Sequence, residues 1–173
     1  MQSLSLLCHF NQALDQLKLT RDMSKDNLAN IEHAILLNHI DSLQELSPPQ
    51  IINIVLAFGY HSMQSELLYL LEPHILKQLR DFKTMQLSRV CSTYLQVGQG
   101  SDFMKHAITA VALRADELDV HHTVTLFNRM RGRIADGAFV REIAMILENS
   151  LIPQVDELKE HQIVKVMRLL SAT

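Results

Sequence analysis

An apolar pattern that returns every 36 residues constrains this chain more than any other feature. Leu46, Phe82 and Leu118 stand 36 residues apart and open similar segments, and Leu158 opens a fourth after 40. Five positions on from each come Ile51, Leu87, Thr123 and Ile163; eight on come Ile54, Val90, Leu126 and Val166. Nine on come Val55, Cys91, Phe127 and Met167, and twelve on come Phe58, Tyr94, Met130 and Leu170. Steps of this size mark one side of a helix. A second set follows at the same period: Leu67, Phe103 and Phe139; Leu68, Met104 and Val140; Leu71, Ala107 and Ile143; Ile75, Val111 and Leu147. Each repeat therefore reads as helix A, a turn and helix B. A fixed period of this length is the signature of stacked helix pairs.

The predicted turns are 59–65, 95–101 and 131–137, with Gly59, Gly98, Gly100, Gly132 and Gly137 in or beside them. Ser65, Ser101 and Asp136 sit where helix B needs an N-cap. Pro73 and Pro153 are expected to bend the helices that hold them. The four additional residues before Leu158 predict a helix B lengthened by about one turn. Residues 1–45 form a degenerate first repeat. A helix A carries Leu4, Leu7, Phe10, Leu14 and Leu17; a helix B starts behind Ser24 and carries Leu28, Ile31, Ile35 and Leu36.

The expected fold is all-α: a right-handed α-solenoid of about four to five helix-turn-helix repeats of about 36 residues. It forms one domain over 1–173, with repeats at 46–81, 82–117 and 118–157 and a terminal half-repeat at 158–173. One repeat buries too little apolar surface to offset the ordering of its own backbone, so neighbouring repeats must stack. The ends are apolar where a free solenoid has polar caps. Leu4 and Leu7 at one end, and Val164, Leu169 and Leu170 at the other, are candidate protein-interface residues. The last helix could equally fold back to close the core.

Composition excludes several classes. A net charge of −3 gives no global attraction to nucleic acid or anionic membrane. Two cysteines, Cys8 and Cys91, make no disulfide framework, and no apolar run reaches the ~18 residues of a membrane span. The first basic residue is Lys18, so residues 1–17 lack the arginines of an organellar transit peptide. No P-loop, dinucleotide fingerprint, nucleophile elbow or zinc-protease motif is present. His33 and His39 are six apart, and His121 and His122 are adjacent; neither spacing sets two ligands on one helix face. We assign no catalytic residue, no metal site, no cofactor and no small-molecule substrate, and the chain is not expected to be an enzyme.

The segment from Leu46 to Arg80, LSPPQIINIVLAFGYHSMQSELLYLLEPHILKQLR, resembles a heptatricopeptide-type repeat and the related octotricopeptide unit. The match lies in LSPPQIINIVLAFG at the helix A entrance and in the leucine-rich helix B followed by Asp81-Phe82. DFKTMQLSRVCSTYLQVG matches more loosely, and LDVHHTVTLFNRMRG keeps only the hydrophobic frame. Similar repeats occur in organellar RNA-binding proteins, among them FAST-kinase-like and RAP-domain proteins, and in divergent mitochondrial ribosomes. The resemblance implies a non-catalytic, mitochondrial helical-repeat subunit of a ribonucleoprotein assembly, contacting RNA and neighbouring proteins. The sequence shows no RAP-like segment, which counts against a nuclease-like role. The alternative is a purely protein-binding scaffold.

Two sets of residues could contact RNA. One is the polar row of helix A: Gln50, Gln86, His122 and Gln162 four past each opener, and Asn53, Arg89, Thr125 and Lys165 seven past. Amides, hydroxyls and imidazoles can bond base edges, and cations can hold phosphate. The other is the dense basic cluster of Arg129, Arg131 and Arg133, with Arg141 nearby in sequence. Lys105, His106 and Arg114 form a weaker basic face on the second helix B. Both sets could also be no more than the solvated side of amphipathic helices. A chain this short would read only about four bases by a one-base-per-repeat code, which favours a fixed part of a larger assembly.

Overall fold

The computed structural model describes residues 24–38, 40–98, 101–158, 160, 163–164 and 167, without the side chains of Asn38, Ser101 and 155–157. Leu4, Leu7, Cys8, Gln162, Lys165, Leu169 and Leu170 lie outside the described residues. Helices make up the secondary structure of the described residues, and no strand occurs among them. The α-helices are α1 (Lys25–Asn38), α2 (Pro48–Tyr60), α3 (Glu66–Lys77), α4 (Thr84–Val97), α5 (Ser101–Ala112), α6 (Val120–Arg133) and α7 (Gly137–Leu151). Short 3-10 helices occupy Ile40–Glu45, Ala115–Glu117 and Ile152–Glu157. The chain divides into two compact units between Gln78 and Leu79, and each is described in turn.

In the first unit α2 and α3 are the A and B helices of the repeat that Leu46 opens, and they pack on each other. Pro48 and Pro49 occupy the first turn of α2, where a missing N–H costs nothing. Ser65 caps α3 by accepting from the Leu68 N–H, as its position predicts. Glu32 of α1 reaches the same corner, accepting from the Ser65 hydroxyl and from the Leu67 N–H. Ser24 starts α1 by accepting from the Asn27 N–H at 3.2 Å. The left-handed position after α2 belongs to Ser62, with φ 51°, whereas Gly59 is buried in the helix's last turn.

The second unit contains α4 to α7. Its A helices, α4 and α6, pack side by side, and its B helices, α5 and α7, do the same; each A helix also packs on its own B helix. Gly98 ends α4 in the left-handed conformation (φ 74°, ψ 40°), which suits a residue without Cβ, and its N–H bonds the Tyr94 carbonyl. Gly132, expected in a turn, is helical because α6 runs on to Arg133. Asp136 caps α7 through the Phe139 N–H at 3.1 Å. The lengthened third B helix is present: α7 has 15 residues against 12 in α3 and in α5. Pro153 lies beyond it in the 3-10 helix.

The repeat positions share their environment. Ile51, Leu87 and Thr123 are fully buried, as are Ile54, Val90 and Leu126, and Phe58, Tyr94 and Met130. The openers Leu46, Phe82 and Leu118 are buried too. The pattern fails at the end of the chain, where Ile163 is 41% and Met167 63% exposed.

A polar tie recurs with the same period. Gln78 Nε2 donates to the Leu46 carbonyl at 3.1 Å, Arg114 Nη1 to the Phe82 carbonyl at 2.9 Å, and Gln154 Nε2 to the Leu118 carbonyl at 3.1 Å. Each is a side chain from beyond helix B bonded to the opener of its own repeat. Arg114 also donates to the carbonyls of Leu79 and Ala110. Removing a charged donor from part-buried carbonyls costs about 1–3 kcal/mol. Arg114→Met should therefore lower the unfolding free energy of the second unit by that amount, and Gln154→Met by about 1 kcal/mol, both read from urea titrations. Burial pushes the Cys91 thiol far above the ordinary thiol range. Cys91 should accordingly react with a thiol reagent only as fast as the chain unfolds, which a labelling time course across a denaturant series would show.

Candidate nucleic-acid interface

The structure sorts the sequence-selected residues into three groups. The first is the row four past each opener, which lies in the first turn of helix A. There Gln50 Oε1 accepts from the Ser47 N–H at 3.0 Å, and Gln86 Oε1 accepts from the Lys83 N–H at 3.1 Å. In the third repeat the roles reverse: Asp119 accepts from the His122 N–H at 2.8 Å and lies 2.8 Å from the His122 ring nitrogen Nδ1. These side chains close helix N-termini, the reciprocal arrangement of a capping box. The sequence carries the signal at Gln50, which stands three residues after Ser47 at a helix entrance, the spacing of a capping box.

The second group is the row seven past each opener. Asn53 belongs to the first unit and is half-buried; in the second unit Arg89 is exposed on α4 and Thr125 half-buried on α6. Of the weaker basic face on α5, Arg114 is engaged with the carbonyls above. Lys105 Nζ pairs with Asp136 at 2.9 Å and lies 5.9 Å from the centre of the Phe139 ring. The Lys105 hydrogen bond, followed by that of the Phe139 N–H, holds the Asp136 carboxyl below the usual carboxylate range.

The arginine cluster divides. Arg129 turns inward from α6 and donates to the Ser92 carbonyl of α4, and its partial burial lowers its pKa from the ordinary guanidinium value. It ties the two A helices together and does not join the basic patch that the sequence suggests. Arg131, Arg133 and Arg141 are exposed. Arg131 and Arg141 line one half-open cleft of about 230 Å³ with Phe127, Ile134, Gly137, Val140 and Ala144. The Arg131 guanidinium sits over the Phe127 ring at 5.9 Å from its centre. Arg141 Nη1 is 3.5 Å from the point where a Cβ on Gly137 would stand, an ordinary van der Waals distance. No carboxylate lines the cleft.

Sequence reading missed the apolar wall of this cleft. Val140 stands where Leu68 and Met104 stand in the earlier repeats; both of those are buried, whereas Val140 is half-buried. Helix α7 covers α5, and no described α-helix covers α7 in the same way. Met145, Ile146 and Ile152 are therefore exposed along α7 and just beyond it. Val164, a candidate interface residue, is exposed as well. Among the described residues no group of three His, Cys, Asp or Glu is placed to hold a metal ion, and no helix is long and apolar enough to cross a membrane.

The Asp119–His122 cap gives the second unit a pH dependence. Partial burial would raise the Asp119 pKa, but the hydrogen bonds from the His122 N–H and ring, with the charge of His122 and His121, outweigh it and hold the carboxyl below its ordinary value. A carboxyl with a depressed folded pKa stabilises the fold above its unfolded pKa of about 3.9, and the gain disappears as pH falls through the folded value. Asp119→Asn retains a capping side chain but not the charge. The stability difference between the parent and this variant should shrink as pH falls below about 5, in urea titrations at several pH values. Comparison with known proteins places the chain beside no relative: no family model, no curated protein and no solved structure matches it.

Proposed function

We propose that this protein is a non-catalytic helical-repeat subunit of a ribonucleoprotein assembly, which holds RNA phosphates through Arg131, Arg133 and Arg141 and meets neighbouring proteins through its apolar surfaces. The observation that carries this reading is the convergence of Arg131 and Arg141, from two helices, on one cleft without a carboxylate. Guanidinium groups fixed on separate helices suit a ligand that presents several anionic oxygens. Matching burial at equivalent positions supports a right-handed solenoid of about 36-residue repeats as the frame for that surface. The mitochondrial assignment rests on the heptatricopeptide-type resemblance of residues 46–80 alone. Binding to proteins without RNA is the second reading, favoured by exposed Met145 and Ile152 on and beside α7 and by Ile163, Val164 and Met167 near the end of the chain.

Charge reversal distinguishes the two. Arg131→Glu combined with Arg141→Glu leaves the Arg129 tie intact, so the fold should hold. Single-stranded RNA binding, followed by fluorescence anisotropy from 50 to 200 mM salt, should weaken at least about tenfold, and the slope of log affinity against log salt should fall by roughly 1.4 for two lost phosphate contacts. RNA affinity that ignores both substitutions would remove this surface from the proposal. Absence of RNA binding by the parent chain at 50 mM salt would favour the protein scaffold.

A further inference from the structure

We propose that the cleft between α6 and α7 takes one unpaired nucleotide, with its base against the apolar wall of Ile134, Val140 and Ala144 and its flanking phosphates on Arg131 and Arg141. This rests on the RNA-contact reading and deepens it from phosphate contact to recognition of a single strand. Phosphate contact by itself needs only surface cations. Here the two arginines flank a cavity whose other lining side chains, those of Phe127, Ile134, Val140 and Ala144, are all apolar, with Gly137 between them. The fitting ligand thus has a flat, poorly hydrated body joined directly to an anion, and a nucleotide has that composition. At about 230 Å³ the cleft lies below the ~300–1,000 Å³ of ordinary small-molecule pockets, so it is sized for one ring system.

The geometry also selects the state of the RNA. In a duplex the bases are stacked on one another and only phosphate and ribose face outward, so the apolar wall would stay empty. An unpaired or bulged base can turn into it. Apart from the two arginines no lining side chain carries a hydrogen-bonding group, so side chains of the wall cannot read base edges. The site should therefore prefer single strands over duplexes while tolerating any base.

Val140→Trp fills the cleft from a half-buried position and leaves both arginines in place; Ile134→Trp fills it from the opposite helix end. Both full-length variants are to be checked for unchanged helicity by circular dichroism. The probes are a labelled oligouridine and a blunt RNA duplex of the same length. The parent chain should bind the oligouridine at least about tenfold more tightly than the duplex, and either tryptophan variant should reduce single-strand affinity to the duplex level without changing duplex binding. Equal binding of both probes by the parent, or single-strand affinity unaffected by both variants, would overturn the nucleotide site and leave the phosphate-contact reading standing. Loss of all RNA binding in the parent would overturn both. Competition by an apolar, acid-terminated peptide that the tryptophan variants abolish while RNA binding persists would assign the cleft to a protein ligand and sink the inference.

Discussion

The hydrogen bond from the end of each repeat to its own opener is the constraint on which the arrangement depends. A residue such as Leu46, Phe82 or Leu118 has its side chain in the core and its backbone just ahead of a helix, so its carbonyl has no place in the helical ladder. A buried carbonyl without a donor is costly. Gln78, Arg114 and Gln154 supply that donor. The bond brings the chain beyond helix B back beside the start of helix A, and the hairpin is closed at the end where the next segment must leave. In the third repeat the donor stands 36 residues from its acceptor instead of 32. The four additional residues are absorbed by a longer α7 and the 3-10 helix beyond it, and the tie is preserved.

Around that closure the second unit is fixed by side chains acting between repeats. Arg129 joins α6 to α4, Lys105 on α5 joins the Asp136 cap of α7, and Thr84 at the start of α4 donates to Glu117 ahead of α6. Each uses a polar or charged group that could otherwise serve as a ligand contact. The basic surface is smaller than the count of cations suggests, because part of it is spent on holding helices together. Arg131, Arg133 and Arg141 are among the cations left over, and Arg131 and Arg141 line the cleft between α6 and α7.

Much of the fold was legible from spacing alone. Ile54, Val90 and Leu126 are alike in the sequence and alike in their burial, since a helix that packs on one side must place its apolar residues at that period. The caps at Ser65 and Asp136 were legible for the same local reason, and the left-handed glycine at Gly98 sits in a predicted turn. Helix ends were less so: α6 runs through Gly132, which tolerates helix, and Gly59 gives its expected role to Ser62. The candidate site was only partly legible. Gln50, Gln86 and His122 are polar residues on a regular row, but the third position of a helix is within reach of the capping residue: Gln50 and Gln86 accept from the N–H of Ser47 and Lys83, and His122 donates its own N–H to Asp119.

The sequence by itself determined the helical class, the 36-residue frame and the burial of the equivalent positions, because these follow from local periodicity along one chain. Which cations remain free was decided only by tertiary structure. Arg129 and Arg131 are two residues apart and nearly identical as sequence, yet one points toward α4 and the other toward the cleft. A helix turns by about 100° per residue, so neighbours in sequence face different surroundings, and only the packed neighbours say which face is buried and which can receive a ligand.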